Sequence, residues 1–538
     1  MSTAGASGGS PLDVPFRFFF LTSLIALPWL NPVASGPSPA VVPWLFSIIC
    51  ACLAMPLIFK SRTDVAVPSA RAWLAAGLLS SGIGLIQYFG GAQALYPLVD
   101  ATSVGEAFAN LRQRNQFATL TNIGLVSLVY FVSIMRPKLP HEPNLDGGRS
   151  PFRPAPGPAL VLAAAALVAA GNAASSSRTG LLQLIAVFSI SIWWGWARHR
   201  SVRQLLIVAG LTYCIAAFAL PRIASLDPLS AGILARLRGG EPACASRLTL
   251  WSNVVHLVHL KPWLGWGWGN LDFAHFMTLY EGPRFCDILD NAHNLPLHLA
   301  VELGMPVAAL ACGFGIWLVV RSRPWRELNP SRQMAWAVMS LILLHSMLEY
   351  PLWYGPFQIA AVLCVWILCS SKPERHEPLQ LAPSAPPIEA HAPSFPVQLI
   401  ASCISALVLC GVAYAAWDYH RISQIYLPPN ARSSAYREDT LEKIRPSWLF
   451  RNQVKFAELT TTDVTATNAA HVNALAKEML HFSPEARVAE KLIESAVVLE
   501  RDDEALYYLA RYRAAFPNEH ARWAATMRLP AEPSASAN

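Results

Sequence analysis

Residues 40–59 read AVVPWLFSIICACLAMPLIF, twenty positions without one charged side chain. A helix rises about 1.5 Å per residue, so this run is about 30 Å long, the thickness of a bilayer's hydrocarbon core. Apolar runs that reach or approach that length recur at 16–30, 159–174 and 398–417. Of the 538 residues, 54% are hydrophobic and 14% charged, and the mean hydropathy is +0.35. A soluble domain carries nearer a quarter of its residues as charges. The pattern reads as an all-α, polytopic membrane protein followed by a soluble helical domain.

Eleven helices are expected to span, at about 15–30, 40–59, 71–89, 117–135, 159–174, 179–197, 204–221, 294–320, 333–349, 355–370 and 397–417. The segment 355–370 is short enough to be tilted or partly re-entrant. The first run has no small-residue cleavage motif after it and reads as an uncleaved anchor. Basic residues set the orientation. With a cytoplasmic N-terminus, the inner loops 60–70, 136–158, 198–203, 321–332 and 371–396 all carry Lys or Arg, from Lys60 and Arg62 to Lys372 and Arg375. The net charge of +7 therefore sits mostly in short loops rather than in a basic patch for nucleic acid.

This orientation divides the chain into N-terminal spans 1–221, an outer loop 222–293, C-terminal spans 294–417 with an inner linker 371–396, and an outer helical tail 418–538. The linker is rich in Pro, Ala and Glu and reads as flexible. In the tail, Thr440–Leu449, Ala469–Phe482, Pro484–Leu499 and Asp503–Phe516 have helical spacing. Alternating short helices with Ala and Tyr at packing positions resemble a tetratricopeptide-like hairpin, without a clear repeat. Eight of the ten cysteines lie in apolar spans, and Cys244 and Cys286 fall in the outer loop. In an oxidising compartment these two are expected to close a disulfide; the alternative is two thiols too far apart to bridge.

Chemistry-bearing residues collect on the outer face. Ser175-Ser176-Ser177-Arg178-Thr179-Gly180 joins two spans so tightly that Arg178 must lie at the interface, near a helix start. Free amides and an arginine make a phosphate site, although an arginine snorkelling to headgroups gives the same pattern. The outer loop carries Arg222, Arg236, Arg238 and Arg247 against the positive-inside trend, and bidentate arginines suit a diphosphate. The run from Lys261 to Asn270 has a Gly-x-Gly-x-Gly spacing. It follows no strand and reads as a tight interfacial turn, with Trp263, Trp266 and Trp268 in the headgroup belt. His293, in Asp290-Asn291-Ala292-His293-Asn294, is either a base for a hydroxyl acceptor or a capping residue. His298 and Glu302 lie four apart, as do His345 and Glu349, and each couple reads as a hydrogen-bonded pair; no third ligand completes a metal set. Glu349 and Tyr350 end a span, and Glu106 and the run Arg112-Gln113-Arg114-Asn115-Gln116 lie on the same face.

In this order the groups resemble the O-antigen ligase superfamily of integral-membrane glycosyltransferases. His293-Asn294, nine residues, then Gly304 resembles its histidine signature, with Val307 a departure from the usual small residue or tyrosine. Ser177-Arg178-Thr179-Gly180 and Arg247-Leu248 with Trp251 resemble its two arginine sites. The stretches 114–119, 290–304 and 345–354, with a tail beginning at Asp418-Tyr419, are most similar to the PglL-type bacterial protein O-oligosaccharyltransferases. The resemblance implies transfer of a glycan from undecaprenyl diphosphate to Ser or Thr of exported proteins such as pilin, with no cofactor, metal or nucleotide sugar. It implies a bacterial inner-membrane location with a periplasmic site. His293 and Glu349 would be catalytic and Arg178 and Arg247 would bind the diphosphate. Arg114, Asn294 and Tyr350 are further substrate-binding candidates. An O-antigen ligase or glycan polymerase is the enzymatic alternative, and a transporter of lipid-linked glycan the non-enzymatic one. A transporter would show repeated halves and charges at mid-membrane depth, which the sequence lacks.

Overall fold

A computed structural model of the chain describes residues 13–34, 36–60, 65–135, 157–239, 243–373 and 395–528. Most of the expected inner loop 136–158, with its Arg136, Lys138, Arg149 and Arg153, lies outside these residues, as do Arg62 and most of the linker 371–396.

The described residues contain helices and no strand. In chain order the helices are α1 Asp13–Leu30, α2 Val41–Lys60, α3 Ala66–Tyr88, α4 Arg114–Ile134, α5 Pro158–Ala174, α6 Arg178–Trp193 and α7 Arg200–Ile223. There follow α8 Gly232–Arg238, α9 Arg247–Leu260, α10 Leu271–Met277, α11 Leu295–Leu303, α12 Met305–Ser322, α13 Pro330–Ser346, α14 Gly355–Ser370 and α15 Phe395–Ser423. The tail holds α16 Thr440–Ile444, α17 Arg451–Thr461, α18 Ala469–Leu480, α19 Ala486–Val498, α20 Asp502–Ala515 and α21 Pro517–Arg528. Among the described residues, six helices are long and apolar enough to cross a membrane: α2, α3, α4, α7, α12 and α15. Four more, α1, α5, α6 and α14, are apolar but shorter. Helix α13 falls in neither set, and it carries Arg332, Gln333 and His345.

The chain forms two compact units. The first comprises residues 1–239 and 318–413. Helix α4 is its centre, with every residue from Gln116 to Phe131 buried. Small side chains let its neighbours approach, which is how apolar helices gain packing where lipid offers no hydrophobic drive. A Cβ on Gly77 of α3 would lie 3.4 Å from the Cα of Gly124 on α4, and one on Gly171 of α5 would collide with Ser81. At one end of this unit, Arg332 pairs with Glu327 at 2.5 Å and donates to the carbonyl of Ser371 at 3.0 Å. Trp196 donates to Gln333 beside them at 2.7 Å. The starts of α4, α6 and α14 gather at the other end with the C-terminal ends of α1, α3, α5 and α13.

The second unit comprises residues 240–317 and 414–538. One of its cores joins α9, α10 and α11 through Leu250, Val254, Leu257, Leu271, Ala274 and Val301. Another joins Phe276 of α10 to α17–α20 through Leu459, Met479, Leu492 and Tyr512. Asp418 anchors the tail: its fully buried carboxylate accepts from Arg421 at 2.7 Å, Ser447 at 2.8 Å and the Leu449 amide at 3.1 Å.

One expectation is corrected. The span drawn at 294–320 is two helices, α11 and α12, because Gly304 adopts φ +88° and ends the first. The loop 222–293 contains α8, α9 and α10. Pro517 follows α20 and opens α21, where its missing amide costs nothing. The glycine turn packs against the break: the amides of Trp266 and Gly267 donate to the carbonyls of Val301 and Glu302 at 2.8 and 2.9 Å. A Cβ on Gly304 would drive into the Trp263 carbonyl. Gly304→Ala is therefore expected to destabilise the second unit by at least about 2 kcal/mol, read as a lower denaturant midpoint of the detergent-solubilised protein.

Candidate functional site

Of the residues expected to act, Arg178, Arg114, Glu349 and Tyr350 lie in the first unit; Arg247, His293, Asn294, Cys244 and Cys286 lie in the second.

In the first unit, Ser177 caps α6 by accepting the Gly180 amide at 2.9 Å, which makes Arg178 the first residue of the helix. Ser176 before it holds φ +52°, an uncommon conformation for a side-chain-bearing residue. Arg178 donates through Nη2 to the carbonyls of Gly239, at 3.0 Å, and Arg236. Arg236 in turn donates to the Ser176 carbonyl at 3.3 Å, so the two arginines tie α8 to the start of α6.

A chain of polar contacts runs from that cap. Ser177 Oγ donates to Asn115 Oδ1 at 2.6 Å. Asn115 Nδ2 and Gln113 Nε2 donate to the two oxygens of Glu349, both at 3.1 Å. Thr119 Oγ1 lies 3.0 Å from His345 Nδ1 and 3.0 Å from Gln183 Oε1, and Gln183 Nε2 reaches the Leu341 carbonyl at 3.0 Å. Glu349 is 6% exposed and His345 fully buried. The Glu349 amide also donates to the His345 carbonyl at 2.8 Å. Glu349 thus fastens the start of α4. Arg114 pairs with Glu106 at 3.0 Å, and the Tyr350 ring stacks on Tyr354 with centroids 5.9 Å apart. Sequence reading gives Gln113, Asn115 and Thr119 no individual role and does not single out Gln183. Asn115, Thr119 and Asn122 recur at helical spacing in an apolar run, a signal that was there to find.

In the second unit, Ser246 caps α9 by accepting the Thr249 amide at 3.2 Å, so Arg247 is again the first residue of a serine-capped helix. One turn along, Trp251 Nε1 donates to the Ala292 carbonyl at 3.1 Å, which holds the residue before His293 against α9. His293 has φ +49°, with its amide bonded to Asn291 Oδ1 at 2.9 Å, and Asn294 caps α11 by accepting the Leu297 amide at 3.1 Å. A disulfide joins Cys244 to Cys286, with Cα atoms 5.2 Å apart, and Asn253 of α9 bonds Pro283 and Phe285 beside it. Trp266 donates to the Leu257 carbonyl at 3.0 Å under the Lys261 ammonium. Trp263 and Trp268 stay exposed.

Burial sets the charges around α10. His275 is pushed down to about 3, chiefly by burial and then by Arg284. Its Nε2 faces the Phe285 carbonyl at 3.2 Å, which can only accept, so the proton is there and Nδ1 accepts from Tyr280 at 2.8 Å. Burial lifts Asp272 to about 7, opposed by the Phe273 amide. Burial also raises Asp290, and the nearby His293 opposes that rise. The His298–Glu302 contact is 3.5 Å, and burial lowers the histidine to about 4 while raising the acid, which favours the uncharged pair. Among the described residues no three metal-ligating side chains cluster.

Three family models match successive parts of the chain. Residues 107–131 match a protein glycosylation ligase, 163–312 an O-antigen ligase, and 333–529 the C-terminal part of a virulence factor membrane-bound polymerase. Over residues 163–312 the chain is thus similar to the O-antigen ligases. A general O-oligosaccharyltransferase of Acinetobacter baylyi is 23% identical over 372 residues, 66% of this chain and 57% of the relative. A ComP-specific O-oligosaccharyltransferase of the same organism is 27% identical over 128 residues, 23% of this chain and 22% of the relative. The chain thus spans little more than half the length of the first of these relatives. Every candidate residue lies inside one of the matched segments.

Two outcomes follow. Glu349→Gln turns an acceptor-only group into one whose amide faces amide donors; thermal unfolding should show a loss of about 1–3 kcal/mol. A raised Asp272 favours the folded state below about pH 4, and that contribution is lost as pH rises through about 7. Asp272→Asn should therefore be more stable than wild type at pH 8 and not at pH 4 in pH-dependent melts. His275 slopes the other way, losing stability as pH falls from about 6.5 toward 3.

Proposed function

We propose that this chain transfers an oligosaccharide from undecaprenyl diphosphate to Ser or Thr hydroxyls of exported proteins such as pilin, at the periplasmic face of the inner membrane. The observation that carries the reading is the shared placement of three residues. Arg178 and Arg247 each open a serine-capped helix, and His293 directly precedes the cap of a third. Helix starts present unbonded amides and a partial positive charge, which favour an anion such as a diphosphate. The names of the two relatives agree with glycan transfer. The reading takes eleven spans, an outer loop 222–293 and an outer tail 418–538, with the basic loops inside.

In the reaction, the acceptor oxygen attacks the anomeric carbon and the bond from that carbon to the diphosphate oxygen breaks. His293 takes the acceptor proton, and undecaprenyl diphosphate leaves with the electron pair. Arg178 and Arg247 stabilise the charge the diphosphate gains. Arg178 exchanges its carbonyl partners for phosphate oxygens, which are stronger acceptors. Glu349 acts through the hydrogen bonds that hold the start of α4, and Arg114, Tyr350 and Asn294 shape the surroundings. The tail, tetratricopeptide-like in its alternating helices, receives the protein acceptor.

The match of residues 333–529 to a polymerase model favours a second reading, in which the accepting hydroxyl belongs to another glycan. Purified protein supplied with lipid-linked glycan, an acceptor peptide and a glycan acceptor separates the two by which product forms. Under the first reading His293→Ala slows peptide glycosylation at least about 100-fold, and Arg178→Ala or Arg247→Ala has a comparable effect. Undiminished transfer by His293→Ala rules out a base at that position.

A further inference from the structure

At the end of the first unit where α4 and α14 begin lies a pocket of about 290 Å³, near the lower limit of small-ligand sites. Its walls include Trp44, Trp353 and Tyr354, with Gln113, Gln116 and Arg112 supplying polar groups. Gln116 is 1% exposed, and its Nε2 has no acceptor among the described residues. A buried amide left without a partner is costly, so a ligand oxygen is its natural complement. Gln113 commits its Nε2 to Glu349, which leaves its carbonyl oxygen as an acceptor.

The ligand chemistry follows from what the pocket lacks. Arg112 is its one cationic lining residue among those described, and its guanidinium is held by Asp100, Nε to Oδ2 at 3.3 Å, and by the Pro32 carbonyl. The lining is thus neutral and does not suit a phosphate. Flat aromatic faces with neutral amide donors and acceptors suit a sugar ring, which offers C–H faces and a rim of hydroxyls. The pocket also connects to the arginine site: Gln113 bonds Glu349, Glu349 bonds Asn115, and Asn115 bonds Ser177, the cap beside Arg178.

We propose that this pocket binds one sugar residue of the glycan, with Gln116 donating to a ring hydroxyl and the aromatics stacking on its faces. The assignment rests on the donor being a lipid-linked glycan. A site built to hydrogen-bond a hydroxyl discriminates against sugars that lack it, so Gln116 is a specificity-determining residue.

The test uses the full-length protein in nanodiscs and three probes: undecaprenyl diphosphate bearing a disaccharide, bearing a single N-acetylhexosamine, and bearing no sugar. Dissociation constants are measured for wild type and Gln116→Leu. The variant replaces an unpartnered amide with an apolar group and should melt at the wild-type temperature. A loss of about tenfold for at least one sugar-bearing probe, with the sugar-free lipid unchanged, is the expected result. Unchanged affinity for both sugar-bearing probes overturns the proposal. Equal weakening for the sugar-free lipid overturns it too, since the pocket then holds the lipid. Should Gln116→Leu fail to fold, Trp44→Ala, at a position 43% exposed, answers the same question by the same comparison. If sugar-dependent binding is present but no acceptor is glycosylated, the proposed function fails while the pocket assignment stands.

Discussion

The carboxylate of Glu349 accepts a hydrogen bond from each of two side-chain amides at the start of α4, and the polar end of the first unit is organised around it. A buried carboxylate persists only when its lone pairs are used. Asn115, once drawn to Glu349 by its nitrogen, presents its oxygen to Ser177, and Ser177 is thereby oriented to cap α6. The place of Arg178 at the head of that helix is thus set by contacts made on two other helices. Strain tolerated nearby, at Ala109, Arg112 and Ser176, is what such a tightly bonded region can hold.

The second unit reaches a similar arrangement by covalent and aromatic means. Trp251 holds the His293 segment to α9, and the disulfide holds the start of α9 to the 283–286 loop. Both units place an arginine just inside a serine cap. A Ser cap satisfies one amide and leaves the others, with the positive end of the helix dipole, beside the cation, a combination that favours an anion at each place.

The fold was legible wherever a single physical signal dominated. Apolar runs marked helices because a chain in lipid has few other ways to satisfy its backbone. The break at Gly304 escaped because hydropathy continues through it from Leu295 to Val320; the signal was a backbone conformation, which composition does not encode. Helix α17 was missed because Arg451, Asn452, Gln453 and Lys455 mask the buried Val454, Phe456 and Leu459. At the site, residue types were readable and partners were not. His345 and Glu349 read as a pair at four-residue spacing, and both also bond to α4, since cross-helix partners depend on packing that no local spacing reports.

The bond between Cys244 and Cys286 has a consequence for biogenesis. A thiol pair in a reducing compartment stays open, whereas an oxidising one closes it. A molecule inserted upside down would carry the same residues but not the crosslink, and the loop around Arg284 would depend on Asn253 and Arg284's own carbonyl contacts. Under the outer placement proposed for this loop, the crosslink therefore serves as a chemical record of insertion: it holds Cys244 to Cys286 in molecules facing that way and is missing from those facing the other.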